Sequence, residues 1–357
     1  MSEAVTPCLH PDGPPVDAPL RILLIRLDGL GDTVLTTPLL AAIRKQWPRS
    51  SVTVIASATG DACLANHPGV GNTIVFSHQH STIAEKLALG RRLKSASFDV
   101  AITVTEKAWA YAWLRMSRAP RRIGFWPGWT KPLKSCALAG ALTDRVPEFP
   151  ELHETERHLK LLAPLGLDVN PGPLWLPHAP PDQRIPGRVA LHLSGKWLRD
   201  GWDSAWLATL TGALASAAPG GLLVSAGGLE REWARSFCAE YASAERGPAR
   251  VDTEHVGPPE AGRVEFVVDP PFDRWVDALS RCQVLVSTDT GAVHVGAALG
   301  LSVVDVFPAN TPSADVLRWK PWKVSYVIIL RPPGPENANL FEQEILRATR
   351  NLMQLSP

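Results

Sequence analysis

The stretch RLDGLGDTVLTTP, residues 26–38, decides how this sequence is interpreted. It directly follows RILLI (21–25), an apolar run with the length of a short buried strand. Two glycines and a second aspartate come next, followed by a Thr-rich apolar run that can form a helix. A strand, a glycine-containing turn and a helix in this order are typical of the opening unit of a nucleotide-binding α/β domain, and the two glycines are expected to let the backbone turn sharply.

The same alternation of strand-length apolar runs and helical patterns continues along the chain. Strands are predicted at RILLI (21–25), SVTVIAS (51–57), TIVF (73–76), DVAITV (99–104), VALHLS (189–194), LLVSA (222–226), VEFVV (264–268), VLVST (284–288) and VVDVF (303–307). Helical patterns between them include TVLTTPLLAAIRKQW, TIAEKLALGRRLKSA, WLATLTGALASAA and AVHVGAALG. This alternation predicts an α/β protein with parallel, doubly wound sheets.

Both halves of the chain show this pattern, and a Pro-rich stretch at 171–187 separates them. We therefore predict two Rossmann-like domains that face each other across a cleft lined by the carboxyl ends of both sheets. The predicted boundaries are a disordered leader (1–20), an N-terminal domain (21–175), a linker (176–188), a C-terminal domain (189–335) and a packed amphipathic C-terminal helix (336–357).

Composition narrows the class of protein. The 357 residues carry a formal net charge of +1, which gives no electrostatic reason to expect nucleic acid as a partner. The five cysteines are scattered and match no metal-ligand spacing, as expected for free thiols in a reducing compartment. The charge-free stretch 205–229 is divided by Pro219-Gly220-Gly221 and is interpreted as a core helix and strand, so a cytoplasmic enzyme is expected.

The first turn carries two candidate functions. Gly29 and Gly31 match the start of a dinucleotide fingerprint, but a third glycine and an acid at the end of the second strand are both missing, which disfavours NAD. Asp32 is placed to cap the helix that is predicted to start near Thr33. A carboxylate at a cleft wall can also accept a proton from a substrate hydroxyl, so the two roles of Asp32 are compatible.

A second turn of the same design follows a strand in the C-terminal half, at STDTGAVHVGAALG (287–300). Backbone amides around Thr290 and Gly291 would face the cleft at a helix N-terminus, which suits a phosphate or diphosphate. Asp289 is expected to point aside or hold a hydroxyl group. No D-x-D pair is present for a bridging metal ion, so Lys196 and Arg199 are predicted to supply the positive charge.

Together these motifs resemble glycosyltransferase family 9, the heptosyltransferases of lipopolysaccharide core assembly. The resemblance lies in RLDGLGDTVLTTPLLAAIRKQWP (26–48), STDTGAVHVGAALGLSVVDVFPANTP (287–312), RRIGF (121–125) and HETERHLKLLAPLGL (153–167). It implies a GT-B fold, inversion in a single displacement, and no metal or other cofactor. It also implies a nucleotide-sugar donor, ADP-heptose, bound in the C-terminal domain, and a lipid A–Kdo acceptor bound in the N-terminal domain.

The resemblance also assigns residues. It implies that Asp32 is the catalytic base, and that the donor is contacted by Asp289, Thr290, Gly291, His294 and Glu230, the last through the ribose. By itself, a lone helical His such as His294 would be interpreted as a packed surface residue. In one place the sequence departs from the family, since Asp200 stands where a Lys two residues before Trp202 is usual, so Lys196 or Arg199 would have to replace it.

The predicted acceptor side is basic and rich in tryptophan. No acid occurs between Glu106 and Asp144, whereas seven basic residues do: Lys107, Arg115, Arg118, Arg121, Arg122, Lys131 and Lys134. Trp109 and Trp113 have the spacing of one buried helix face, but FWPGW (125–129) is harder to bury. This pattern favours an anionic glycolipid and a peripheral contact with the inner membrane surface. The predicted acceptor contacts are Arg26, Gly31, Arg118, Arg121 and Arg122.

Three alternatives stay open at this point. A transferase of the same family could use another nucleotide sugar, or a protein or small-molecule acceptor. A nicotinamide-dependent oxidoreductase would require the glycine fingerprint and the acid that the sequence lacks. A noncatalytic sensor would bind a sugar nucleotide without turning it over.

Overall fold

The structure is a computed structural model that describes residues 13–15, 18–126, 138, 140–177, 183–244, 249–251 and 262–355. The chain divides into two units, Met1–Trp175 and Leu176–Pro357. Most of the predicted leader (1–20) and part of the predicted linker (176–188) lie outside the described residues.

The first unit is built on a six-stranded parallel sheet. Its strands are β1 (Arg21–Arg26), β2 (Ser51–Ala56), β3 (Asn72–Val75), β4 (Val100–Thr103), β5 (Arg121–Trp126) and β6 (Asp144–Pro147), in the order β3-β2-β1-β4-β5-β6. Its helices are α1 (Leu30–Val34), α2 (Thr37–Gln46), α3 (Ala58–Leu64), α4 (Ile83–Ser95), α5 (Ala108–Ser117) and α6 (Glu154–Lys160).

The first strand shows why its sequence is continuously apolar. Alternate residues of a strand point to opposite faces of the sheet. Ile22 and Leu24 are fully buried in the core cluster on one face, and Leu23 and Ile25 are fully buried in the cluster on the other. A parallel sheet with both faces covered therefore accounts for a run without polar residues.

The second unit is built on a seven-stranded parallel sheet. Its strands are β7 (Val189–His192), β8 (Leu222–Ala226), β9 (Ala249–Val251), β10 (Val264–Val268), β11 (Val284–Thr288), β12 (Ser302–Pro308) and β13 (Tyr326–Arg331), in the order β13-β12-β11-β7-β8-β10-β9. Its helices are α7 (Ser204–Ala217), α8 (Arg231–Ser243), α9 (Phe272–Ser280), α10 (Gly291–Ala298), α11 (Ser313–Trp319) and α12 (Ala338–Leu355), and short 3₁₀ helices span Gly195–Leu198 and Gly228–Glu230.

These two sheets confirm the prediction of two Rossmann-like, doubly wound domains. Four strands were not predicted as strands from the sequence: β5, β6, β9 and β13. The single helix predicted over 33–47 is instead two helices, α1 and α2, because the chain bends at Leu35 and Thr36. The C-terminal helix α12 packs Phe341 and Ile345 into the core of the second unit.

The charge-free stretch 205–229 contains most of α7 and the whole of β8, as expected for core elements. Within the described ranges, no helix is long and apolar enough to cross a bilayer. The described cysteines, Cys63, Cys238 and Cys282, are buried free thiols.

Candidate active site

The strand order of the first unit contains a topological switch point between β1 and β4. The chain builds outward from β1 through β2 to β3 and then crosses to β4, β5 and β6 on the other side. Open α/β sheets bind ligands outside the carboxyl ends of the strands at such a point. The segments at this position are the turn from β1 to α1, which carries Asp28 and Asp32, and the turn from β4 to α5, which carries Lys107.

Asp32 lies in the first turn of α1, although it does not cap the helix as predicted. The N-cap is Gly29, and Asp32 is the third helical residue, where its Oδ2 accepts a hydrogen bond of 3.2 Å from the Gly29 N–H. The expectation of a glycine-dependent sharp turn was also wrong, because Gly29 has φ −70° and Gly31 is an ordinary, buried helical residue. The turn thus fixes the Asp32 carboxylate without backbone strain.

Arg26, the last residue of β1, holds both aspartates of this turn. Its side chain is buried, with one nitrogen 2.8 Å from Asp32 Oδ1 and another 3.5 Å from Asp28 Oδ2. The same guanidinium donates to the carbonyl of Val104 at 3.1 Å. Arg26 was predicted to contact the acceptor, but these partners make it a residue that orients Asp32.

Asp28 lies beside a second cation. Lys107 Nζ is 3.0 Å from Asp28 Oδ1 and donates to the Leu27 carbonyl at 3.1 Å. Burial raises the pKa of Asp28, but the charges of Arg26 and Lys107 and hydrogen bonds from Thr105 and Lys107 outweigh it, so the pKa lies below its ordinary value. Asp32 is 31% exposed and Lys107 is likewise 31% exposed, so substrate can reach both.

Three of the four arginines predicted to bind the acceptor lie at the amino edge of the sheet, away from Asp32. In the strand register, Arg121 pairs with Val100 and Val100 pairs with Ile22. Arg121 is therefore four residues, about 13 Å, from the level of Arg26 along the strand direction. The neighbouring Arg122 lies at the same amino edge, and Arg118 caps the end of α5 that leads into it.

The contacts of Arg121 and Arg122 explain their positions in structural terms. Arg121 forms a bidentate ion pair with Asp144, at 2.8 and 3.0 Å, and Arg122 donates to the carbonyls of Ala119 and Ala141. Both join strand ends to neighbouring loops. The structure therefore places Arg118, Arg121 and Arg122, which were predicted to bind the acceptor, at the opposite edge of the sheet from Asp32.

The tryptophans of this segment divide into two groups. Trp113 is fully buried in the core and Trp109 packs against the same cluster, so the interpretation of one buried helix face is confirmed. Trp126 ends β5 at the carboxyl edge of the sheet. The rest of FWPGW, with Lys131 and Lys134, lies outside the described residues.

The second unit has its own switch point, between β7 and β11. The chain builds from β7 through β8 on one side and crosses to β11, β12 and β13 on the other. The 3₁₀ helix with Lys196 follows β7, and the turn with Asp289 and Thr290 follows β11. A hydrogen bond of 2.7 Å between the hydroxyls of Ser194 and Thr288 links the two strand ends.

The structure brings the predicted donor residues of these two turns together. Lys196 Nζ is 3.0 Å from Asp289 Oδ2 and also bonds the Asp289 carbonyl. Thr290 is the N-cap of α10 and Gly291 its first residue, with no side-chain hydrogen bond capping the helix among the described residues. His294 is buried in α10 at 4% exposure, so the alternative of a surface residue was wrong.

Glu230 approaches the same site from a third turn. It ends the 3₁₀ helix after β8, and its Oε1 accepts a hydrogen bond of 3.3 Å from the Gly195 N–H. Glu230, Lys196 and the turn after β11 therefore occupy neighbouring positions at the carboxyl edge of one sheet.

Arg331, which sequence reasoning missed, adds a cation to this edge. It ends β13 and is 2% exposed, and its guanidinium bonds Asp200 at 2.5 Å and the carbonyl of Lys196. The residue at the position of the family lysine, Asp200, thus holds an arginine from a distant strand. A small crevice at this point is lined by Lys196, Arg199, Thr288, Val306, Phe307, Pro308 and Arg331.

Asp305, on β12, is a second residue that sequence reasoning missed. It is fully buried, and neither carboxylate oxygen has a hydrogen-bond partner in the part of the chain that the structure describes. Burial and the nearby charge of Asp289 raise the pKa of Asp305 well above its ordinary value, against the opposing effect of Lys196. The aspartate in the apolar pattern VVDVF was the available signal.

Comparisons with known proteins agree with this arrangement. The sequence model of glycosyltransferase family 9 (heptosyltransferase) matches residues 271–348, which include α10 and the turn before it. The chain is similar to lipopolysaccharide heptosyltransferase 3 of Escherichia coli, at 21% identity over 82% of this chain and 83% of the relative.

Solved structures with the same fold include three glycosyltransferases. One is a glycosyltransferase family 9 protein of Veillonella parvula, with a TM-score of 0.70 at 15% identity over 97% of this chain and 100% of that chain. Another is ADP-heptose lps heptosyltransferase II of Escherichia coli, with a TM-score of 0.70 at 16% identity over 94% and 99%. A third, the Escherichia coli heptosyltransferase WaaC with ADP-2-deoxy-2-fluoro heptose, has a TM-score of 0.66 at 18% identity over 92% and 99%.

The sequence motifs, the family match and the two Rossmann-like domains lead to the same assignment. The chain is similar to glycosyltransferase family 9 over residues 271–348, and these similarities indicate a glycosyltransferase with the GT-B fold.

Proposed function

We propose that this enzyme transfers a heptose from ADP-heptose to the anionic glycolipid acceptor of the lipopolysaccharide inner core, lipid A–Kdo. The observation that carries the proposal is Asp32, a partly exposed carboxylate fixed at the switch point of the first sheet by Arg26. Relatives whose names specify heptosyl transfer and a bound ADP-heptose analogue support the choice of donor.

The proposed reaction is a single displacement with inversion. The acceptor hydroxyl oxygen attacks the anomeric carbon of the heptose while the bond from that carbon to the diphosphate oxygen breaks. Asp32 takes the proton of the hydroxyl, and ADP leaves with the bonding electron pair. Arg26 and the Gly29 N–H hold the two carboxylate oxygens in place, and each oxygen keeps a lone pair that can accept the proton.

Donor binding is proposed for the second unit, at the edge where β7 and β11 end. Lys196, Arg199 and Arg331 line one crevice there, and three cations at one site suit a diphosphate. The first amides of α10, at Gly291 and beyond, add donors from a helix N-terminus. These cations support transfer that is independent of a metal ion.

The remaining donor contacts follow from the same geometry. Glu230 lies where a ribose hydroxyl could donate to Oε2, because Gly195 bonds Oε1 and no other described residue hydrogen-bonds the carboxylate. Asp289 neutralises the charge of Lys196 in the absence of donor, and a phosphate group would replace Asp289 as the partner of Lys196. His294 is proposed to contact the donor from the first turns of α10.

Acceptor binding is proposed for the first unit, near Asp32. Lys107 is the partly exposed cation at this edge and suits an anionic sugar. Since the acceptor is a lipid, we propose that the enzyme works in the cytoplasm with a peripheral contact at the inner membrane surface.

A ligand panel followed by a transfer assay tests the proposed function. ADP and ADP-heptose should raise the melting temperature with or without EDTA, whereas UDP-sugars, GDP-sugars and NAD should not. At a hundred times its dissociation constant a ligand adds about 2.7 kcal/mol of apparent stability. Stabilisation that requires added Mg²⁺ would contradict the metal-free proposal, and ADP binding without heptosyl transfer to lipid A–Kdo would favour a sensor.

A further inference from the structure

The first turns of α6 bury an unusual number of polar side chains. His153, Glu154, Thr155, Arg157 and His158 are each at most 3% exposed. Burying charged groups costs several kcal/mol per ion unless partners compensate for the lost water, and apolar residues often serve stability as well or better. This concentration of charge in HETERH (153–158) therefore calls for a reason other than stability.

His158 lies between two hydrogen-bond acceptors. Its Nδ1 is 3.2 Å from the carbonyl oxygen of Leu35, and its Nε2 is 3.1 Å from Glu154 Oε1. A carbonyl oxygen can only accept, so Nδ1 carries a hydrogen and donates it to Leu35. A hydrogen bond between Nε2 and Oε1 requires one further proton, on either atom, and the bond to Leu35 is kept in both cases.

Further contacts fix the orientation of this ring. Glu154 Oε2 accepts from Arg157 at 2.5 Å. The Arg157 guanidinium lies 4.7 Å from the centre of the Phe125 ring and 3.8 Å from Glu106 Oε1. The imidazole is thus held between the Leu35 carbonyl and Glu154, whose second oxygen is fixed by Arg157.

The Leu35 carbonyl belongs to the turn that carries Asp32. Leu35 is the C-cap of α1, a helix of five residues. So short a helix is not stable alone, and the carbonyls at its end need donors from elsewhere. Thr36 Oγ1 and Thr37 Oγ1 supply donors to the carbonyls of Asp32 and Val34, and His158 supplies one across 123 residues of sequence.

We propose that the Glu154–His158 pair is a positioning device for Asp32. His158 holds the C-terminal end of α1 while Arg26 holds the Asp32 carboxylate, so the helix is fixed from both sides. His158 is a positioning residue and not a catalytic one, because its hydrogen-bond partners among the described residues are the Leu35 carbonyl and Glu154. The inference rests on the proposed role of Asp32 as the base, and a misplacement of about 1 Å can reduce an enzymatic rate roughly a hundredfold.

Two substitutions at one position separate the two bonds of the ring. In His158→Asn the amide nitrogen corresponds to Nδ1 and can still donate to Leu35, whereas in His158→Gln it corresponds to Nε2 and loses that bond. We expect His158→Gln to lower kcat roughly 10- to 100-fold, within the range for a displaced catalytic group. His158→Asn should retain clearly more of kcat, and both should keep the ADP dissociation constant and the acceptor KM.

A matched control comes from His67, which is also buried in the first unit, at 3% exposure. Its Nδ1 accepts from the Gly69 N–H and its ring packs on Trp175, and no residue of α1, all of which is described, hydrogen-bonds it. His67→Gln should lower the melting temperature and leave kcat within about twofold, a change far smaller than the displacement effect.

Hydrogen–deuterium exchange gives a readout that does not depend on activity. His158→Gln should speed exchange in residues 30–36, and His67→Gln should not. Equal kcat and equal exchange in wild type and His158→Gln would overturn the inference, as would kcat losses that are the same for Gln and Asn. If wild type transfers no heptose, the proposed function fails, while the exchange experiment still tests whether His158 holds α1.

Discussion

The switch points of the two sheets have the same topology but carry side chains of opposite charge, carboxylates in the first unit and cations in the second. In the first unit, β1 leads into a turn with two aspartates, Asp28 and Asp32, which are held by the buried Arg26 and by Lys107 from the turn after β4. In the second unit, β7 and β11 end beside Lys196, which pairs with Asp289.

The difference shows that position in the fold and type of side chain are separate choices. Both sites lie where a parallel sheet opens to bind ligands. The first presents a carboxylate with its cation placed behind it, as a proton acceptor requires. The second presents cations and a helix N-terminus, as a leaving diphosphate requires.

The largest expected effect tests the first half of this comparison, the role of Asp32 as the base. We expect Asp32→Asn to fold, to bind ADP normally and to transfer heptose at least about a hundredfold more slowly, since loss of a general base costs roughly 10² to 10⁴ in rate. The assay is single-turnover transfer with saturating donor.

Asp61→Asn is the matched control for that change. Asp61 is also an acidic residue in the first turn of a helix, α3, so its loss removes a similar interaction with the helix dipole. Its rate should equal that of wild type. A near-normal rate for Asp32→Asn with a lowered melting temperature would make Asp32 a structural residue of α1.

The proposed donor site of the second unit is tested by removing the positive charge of Lys196. Lys196→Gln should weaken ADP binding roughly 10- to 150-fold, because a hydrogen bond to a charged group contributes about 1.5–3 kcal/mol. Calorimetric titration measures this. Arg281→Gln, which removes a surface pair with Asp277 at the C-terminal end of α9, serves as the control and should leave ADP affinity unchanged.

The two ends of α5 sharpen the contrast between the edges of the first sheet. Lys107 is its N-cap at the carboxyl edge and Arg118 its C-cap at the amino edge. Lys107→Gln should lower kcat/KM for the acceptor about tenfold, the effect of one charged hydrogen bond. Arg118→Gln should leave it unchanged. Equal losses for both would restore the original prediction of a basic acceptor face that includes Arg118.

The smallest expected effects concern the pH dependence of stability. The pKa of Asp28 is lower folded than unfolded, so its stabilising contribution is present above its ordinary pKa of 3.8 and is lost as the pH falls through the folded value. Wild type should therefore lose stability as the pH drops from 7 to 3, whereas Asp28→Asn lacks this loss. The free energy of unfolding of the variant should rise relative to that of wild type by on the order of 1 kcal/mol.

Asp305 should show the opposite sign. Its pKa is raised in the folded state, so its contribution is complete below 3.8 and is lost as the pH rises towards the folded value. Asp305→Asn should gain stability relative to wild type between pH 3 and pH 7, as measured by urea unfolding. Parallel pH profiles for Asp305→Asn and Asp28→Asn would show that Asp305 is ionised like the exposed aspartates.

The sequence by itself determined the features that depend on neighbouring residues. Local sequence pattern predicts the strand RILLI and the turns that carry Asp32 and Thr290. A strand buried on both faces is apolar throughout, and the start of a helix has its own residue preferences, so both can be recognised from neighbouring residues. The alternation of strands and helices along the chain, and hence the parallel sheets, followed from the same signal.

Only the tertiary structure decided contacts that depend on sheet order and register. Register placed Arg121 at the edge away from Asp32, although both lie in segments that resemble the family. It also brought Arg331 to Asp200 across 131 residues and His158 to Leu35 across 123. Local pattern specifies which face a side chain occupies, whereas its partner is fixed by which strands and helices become neighbours when the apolar faces are buried.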